Sequence, residues 1–277
     1  MNKVFTTALL SCACIFFAAC KDQKQPPQET TDIRQLPVSD MKQMPEEIAQ
    51  YIKNAERGNQ DPSSCWSAGE LHLAEKTVSQ VWAAGLATLN NVQVNGSCSI
   101  AGRGELSQVT IQGTLRCAGS CHAHDVNAQN VGISGSAQLE KLTVAQDLTV
   151  NGDAVITGAS TIAGATTIRG MLRAEKSAFA DLTVVTGGAQ DGEQSLEVVV
   201  QQSTATTIVI ENKTNNSFFS NLFGGSRKQL PVRLVLDGTT VEQDVVFKGL
   251  AGSIVLRNNA LVKGTVVNGT TAPSDDA

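Results

Sequence analysis

Glycines recurring at a nearly fixed interval constrain this chain more than any other feature. Gly96, Gly113, Gly135, Gly152, Gly170 and Gly187 each close an apolar stretch: VQVNG, VTIQG, VGISG, LTVNG, TTIRG and LTVVTG. Their spacings are 17, 22, 17, 18 and 17 residues. A short fixed period of this kind is the signature of a solenoid, whose repeats bury their apolar faces only by stacking on their neighbours. In the best-ordered part the aliphatics fall six apart, at Val150, Ile156, Ile162 and Ile168, each followed two places later by a glycine. Three such short strands make a coil of 17–18 residues that rises about 4.8 Å as strands stack in register. The predicted fold is therefore all-β, a short-coil β-solenoid over 65–187 with coils starting near Trp66. Stacking on the glycines aligns Cys98, Leu115, Ala137, Ala154 and Leu172 in one column. Ile100, Cys117, Leu139, Ile156 and Ala174 form a second, and strand alternation points both inward. Aromatics at only 4% suit such thin coils better than a large globular core.

The remaining segments divide by composition. Residues 1–19 read as a signal peptide, with Lys3 as the positive n-region and Val4 to Phe17 as an apolar h-region too short to span a bilayer. Residues 20–43 are polar and proline-bearing, as a flexible tether is. Residues 44–64 predict a short helix and a loop: Pro45 suits a first turn, Glu46 and Glu47 its positive end, and Ile48, Tyr51 and Ile52 make one apolar edge. Segment 188–270 carries longer strands that continue or cap the solenoid, and 271–277 is a tail. Without Lys3 the chain has 20 basic residues against 26 acidic ones, a net charge of −6. That balance argues against nucleic acid as a partner, since phosphate binding needs a basic face.

Phe17-Ala18-Ala19-Cys20 resembles a bacterial lipobox. The resemblance implies cleavage before Cys20, lipidation of its thiol and an anchor in the cell envelope facing the periplasm. Lys21 follows where enteric lipoproteins carry an inner-membrane Asp signal, which implies the outer membrane. Cys65, Cys98, Cys117 and Cys121 then remain, an even number in an oxidising setting. Three connectivities are open; loop proximity favours Cys117 with Cys121 and leaves Cys65 and Cys98 as a second pair.

Two stretches stand apart from the repeat. The long spacing between Gly113 and Gly135 reads as an insertion holding Cys117, Cys121, His122, His124 and Asp125. Two thiols and two imidazoles within eight residues could ligate zinc or copper, but the spacing matches no known zinc module. A core position for Cys117 and a disulfide are the preferred reading, and no metal or cofactor is assigned. The second stretch is a polar-flanked insert with Phe218, Phe219, Leu222 and Phe223. Spaced i, i+4, these side chains would gather on one side of a helical turn and form either a cap or a docking site for a partner.

No Gly-x-Ser-x-Gly, phosphate loop or His-Glu-x-x-His occurs. Asp147 and Asp153 bracket one turn without aligned acidic partners. The hexads resemble hexapeptide-repeat acyltransferases, with His122 or His124 in the place of a loop base, but those enzymes draw on cytoplasmic donors. The segments V-x-x-D-V-V-F-x-G (241–249) and A-L-V-K-G-T-V-V-N-G (260–269), with repeated valine–glycine turns, resemble bactofilins, the polymer-forming β-solenoid family. That resemblance implies self-assembly, although the lipobox departs from a family whose members are mostly cytoplasmic. The sequence thus points to a non-enzymatic envelope lipoprotein acting as a rigid scaffold or interaction surface. The alternative is a periplasmic subunit of a larger envelope or secretion machine, docking through 218–223.

Overall fold

The structure, a computed structural model, describes residues 63–186, 196–212, 232–249 and 251–272. The expected signal peptide, Cys20, tether and short helix lie outside these residues. Among them there is no helix: eighteen strands form one sheet that winds as a parallel solenoid of about 10 turns.

The second coil shows why these residues wind. In strand Val81–Val94 the buried side chains are Val81, Ala83, Ala87, Leu89, Val92 and Val94. They come in pairs two apart, each pair followed by a corner, so each coil has three short faces with two inward residues apiece. The next coil repeats the pattern in parallel register, Val81 on Cys98, Leu89 on Leu106 and Val94 on Ile111. Stacked positions are 16 to 18 residues apart, as in Cys65 with Val81, Val131 with Leu148 and Val144 with Ile162. In the hexad region Val150, Ile156 and Ile162 occupy one face each, all buried.

The three corners differ. The first carries a column of glycines, Gly69, Gly85, Gly102, Gly119, Gly135, Gly152 and Gly170, with φ between +117 and +159°. A Cβ on Gly119 would collide with the Gly102 carbonyl oxygen, and the same contact recurs up the column. Only glycine combines that backbone with so close an approach. The second corner is left-handed without glycine at most levels: Glu75, Asn91, Gln108, Asp125, Lys141, Ala159, Lys176 and Gln202 all have φ of 48–61°. The third corner carries Gly96 beneath Gly113.

This arrangement corrects the expected register. Gly113 and Gly135 belong to different corners, so the long interval between them is no insertion. Residues 115–130 form an ordinary coil, and Gly135 stacks on Gly119. The two predicted columns are inward throughout, but each joins two faces: Leu115 is followed by Val131, and Cys121 lies beneath Ala137. Against the glycine spacing the apolar residues of 182–187 sit one place off; the register slips by one residue at a bulge between Ile162 and Ala165, after which Ile168 pairs with Val184.

Beyond residue 187 the ladder continues. Strand Thr204–Asn212 pairs with Ala178–Thr186 at one level and with Val245–Lys248 at the next. Phe179 and Phe247 both point into the core, where Gly252 and Gly269 leave room for the Phe247 ring. On the third face the aliphatic column Val92, Val109, Val126 and Leu142 gives way to buried hydroxyls at Ser160, Ser177, Ser203 and Thr239. These are satisfied level by level: the Leu142 N–H donates to Ser160, Ser177 N–H to Ser203 and Ser203 N–H to Thr239. Each hydroxyl in turn donates to a backbone carbonyl.

Thr166 is different. It sits inward between Leu148 and Leu182, fully buried, and its hydroxyl has no hydrogen-bond partner. An unsatisfied buried hydroxyl destabilises by its lost hydration, whereas a methyl of the same shape does not. Thr166→Val is therefore expected to raise stability by about 1 kcal/mol, read from the urea unfolding midpoint. A lowered midpoint would show that the hydroxyl is satisfied.

Candidate functional site

Strand alternation decides where the chemistry-bearing residues of 117–125 go. Cys117 closes the first face of its coil and Cys121 opens the second, across the corner at Gly119, and both side chains are buried. His122 and His124 lie on the opposite, outer side of that second face. The two thiols and two imidazoles that were weighed as metal ligands and set aside are thus divided by the sheet itself. Among the described residues no group of three or more His, Cys, Asp or Glu side chains is placed to hold a metal ion.

Among the described residues no disulfide joins Cys98, Cys117 or Cys121 to another cysteine. The expected Cys117–Cys121 disulfide is not formed; the two thiols are close enough to influence each other's ionisation, and the Cys117 thiol donates to the Ser120 carbonyl at 3.4 Å. A Cys65–Cys98 pair is excluded by the stacking, because Val81 lies between them and two strand spacings separate them by roughly 9.5 Å. Burial pushes Cys98 up to about 12, helped by the nearby Cys117. Cys121 is pushed well up by its hydrogen bond to Cys117 and by burial, and the same bond makes Cys117 the more acidic of the two.

On the outer side of the second face lies an open depression of about 690 Å³. Two rows of side chains line it along the solenoid axis, Thr88, Glu105, His122, Gln138 and Val155 in one, Asn90, Ser107, His124, Glu140 and Thr157 in the other. Its carboxylates are engaged: Arg103 meets Glu105 at 2.8 Å, and His124 Nδ1 meets Glu140 at 3.1 Å. The cause of the depression lies behind it. The inward column at these levels is Ala87, Gly104, Cys121, Ala137 and Ala154, whereas Leu71 precedes it and Leu172 follows. The run of small inward residues coincides with the extent of the depression. At Gly104 the core leaves little room for any side chain, since a Cβ would lie 3.0 Å from Ile100 Cδ1.

On the neighbouring face Trp66 and Trp82 stack in parallel with ring centroids 5.2 Å apart. Asp147 and Asp153 are structural, accepting hydrogen bonds from the Ala165 and Met171 backbone N–H groups one coil on. The expected partner-contact residues Phe218, Phe219, Leu222 and Phe223 lie outside the described residues. The depression was not anticipated from the sequence. Its signal was there in the run of small inward residues, but reading it needs the corrected register. No protein-family model, curated protein or solved structure matches this chain.

The thiol environments predict an order of reactivity. Native protein treated with iodoacetamide at pH 8–9 should be alkylated at Cys117 before Cys98 or Cys121, as peptide mapping would show. Because Cys98 ionises at 9.0 when unperturbed and near about 12 when folded, its contribution to stability should be full below pH 9 and fall as the pH rises toward 12. Alkylation of Cys98 ahead of Cys117 would contradict both statements.

Proposed function

We propose that this chain is a lipid-anchored protein of the bacterial cell envelope, facing the periplasm from the outer membrane, that acts as a rigid scaffold or interaction surface and not as an enzyme. The observation that carries the reading is the continuity of the parallel ladder. Strand follows strand in register from Cys65 to Ala272, past two long connections, without a second core or a hinge among the described residues. Stacked backbone hydrogen bonds of this kind make a stiff rod whose outer rows keep a fixed spacing. Lipid on Cys20 would fix one end and the rod would hold its faces away from the membrane. The bactofilin-like segments fall in the last coils, where Leu261 and Val267 are 50% and 39% exposed, which supports self-association at that end. Cys20→Ala should abolish labelling by a palmitate analogue and release the protein from the membrane fraction. Retention of the cleaved variant in the membrane would overturn the anchor.

A specific observation favours the second reading, a periplasmic subunit docking through residues 218–223. The strands on either side of 213–231 keep their pairing, Val198 on Leu234 and Ile210 on Phe247, so the ladder of described strands continues in register across this stretch of sequence. Phe218→Ser with Phe223→Ser should then leave the melting temperature nearly unchanged while abolishing co-purification of the partner. A loss of several kcal/mol would instead assign the rings to a cap.

A further inference from the structure

We propose that the depression on the second face binds a neutral polysaccharide chain lying along the solenoid axis. The site is built into the fold, not left over from it. It lies over the levels whose inward column is small, Ala87, Gly104, Cys121, Ala137 and Ala154, and the larger Leu71 and Leu172 bound that run. Side chains at the left-handed corner, Asn91, Gln108, Asp125 and Lys141, stand exposed along one margin.

The chemistry of the lining selects the ligand. Hydroxyls and amides of Thr88, Asn90, Ser107 and Gln138 face the space, and groups of this kind both donate and accept hydrogen bonds. Arg103 compensates Glu105, and Glu140 sits 3.1 Å from the His124 imidazole, so the lining carries at most one uncompensated negative charge and no excess of positive charge to draw an anionic polymer. At one end Val155 is 40% exposed among the polar rows and gives an apolar contact for the C–H face of a sugar ring. Form points the same way. The depression is shallow, too open to enclose a small molecule, and runs across five coils, roughly 19 Å at the strand spacing. Its polar groups repeat every 4.8 Å or so, close to the advance of one sugar per unit along an extended β-linked chain. A polyhydroxylated polymer can therefore place successive units over successive coils.

The test titrates the full chain with cellohexaose and with chitohexaose by calorimetry, with glucose and polygalacturonate as comparisons. At least one hexasaccharide should bind saturably, glucose should not, and polygalacturonate should bind no better. Ser107→Ala with Gln138→Ala removes outward groups only; it should weaken binding about tenfold or more without moving the melting temperature. Thr88→Val with Thr157→Val provides a second variant of the same kind should the first fold poorly. Three results would overturn the proposal: no saturable binding of either hexasaccharide up to about 10 mM, undiminished affinity in the folded variants, or stronger binding of polygalacturonate.

Discussion

Everything in this molecule depends on backbone lying directly on backbone at the glycine corner. There each glycine sits so close above the preceding carbonyl that no side chain fits between them, and consecutive coils stack at the separation of hydrogen-bonded strands. Once that separation is fixed, the coil length is fixed within a residue or so, and each coil can bury only six inward side chains. The core is a column one coil wide. A larger residue at one level must be answered at the next, as Phe247 is by Gly252 and Gly269. A small one can be demanded by its neighbours, as Gly104 is by the Ile100 side chain packed against it.

The third face shows two ways of holding such a column together. Up to Leu142 it relies on aliphatic packing. From Ser160 to Thr239 it uses hydroxyls that take a backbone N–H from one coil and return a hydrogen to a carbonyl. The second scheme stabilises less through transfer from water, but each bond has a direction, so it fixes the level of each coil relative to the next. It begins at Ser160, two coils before the first long connection, and continues past both.

The architecture was legible because it rests on periodicity. Val150, Ile156 and Ile162 announce one residue per face, and the structure places them so. What was not legible was which corner each glycine serves. Gly96 and Gly113 sit at the third corner and Gly135 at the first, and a count that joins them invents an insertion around Cys117 and His122. From that single misassignment followed the wrong column for Leu139 and the idea of a distinct Cys/His loop. Sidedness was the better guide: Cys121 and His122 are neighbours in sequence, so in a strand they cannot share a side. The disulfide expectation failed for a different reason. Sequence proximity says nothing about whether two inward thiols across a corner come within bonding distance. The depression stayed hidden because the residues that line it come from five successive coils, and only the correct register brings them together.

Both long connections, after Thr186 and after Asn212, leave from the corner occupied lower down by the glycine column. The partner of a given strand position moves from 17 residues away to 26 and then to 36, as in Ala178 with Thr204 and Leu196 with Val232, yet the same faces remain stacked. Within a face, one added residue would turn every following side chain inside out. At this corner, added length alters only a loop-closure cost that grows by about 0.6 kcal/mol per doubling. The solenoid thus has one edge along which chain length and core geometry are independent. New loops can be acquired, lengthened or exchanged there while the core beneath them stays the same.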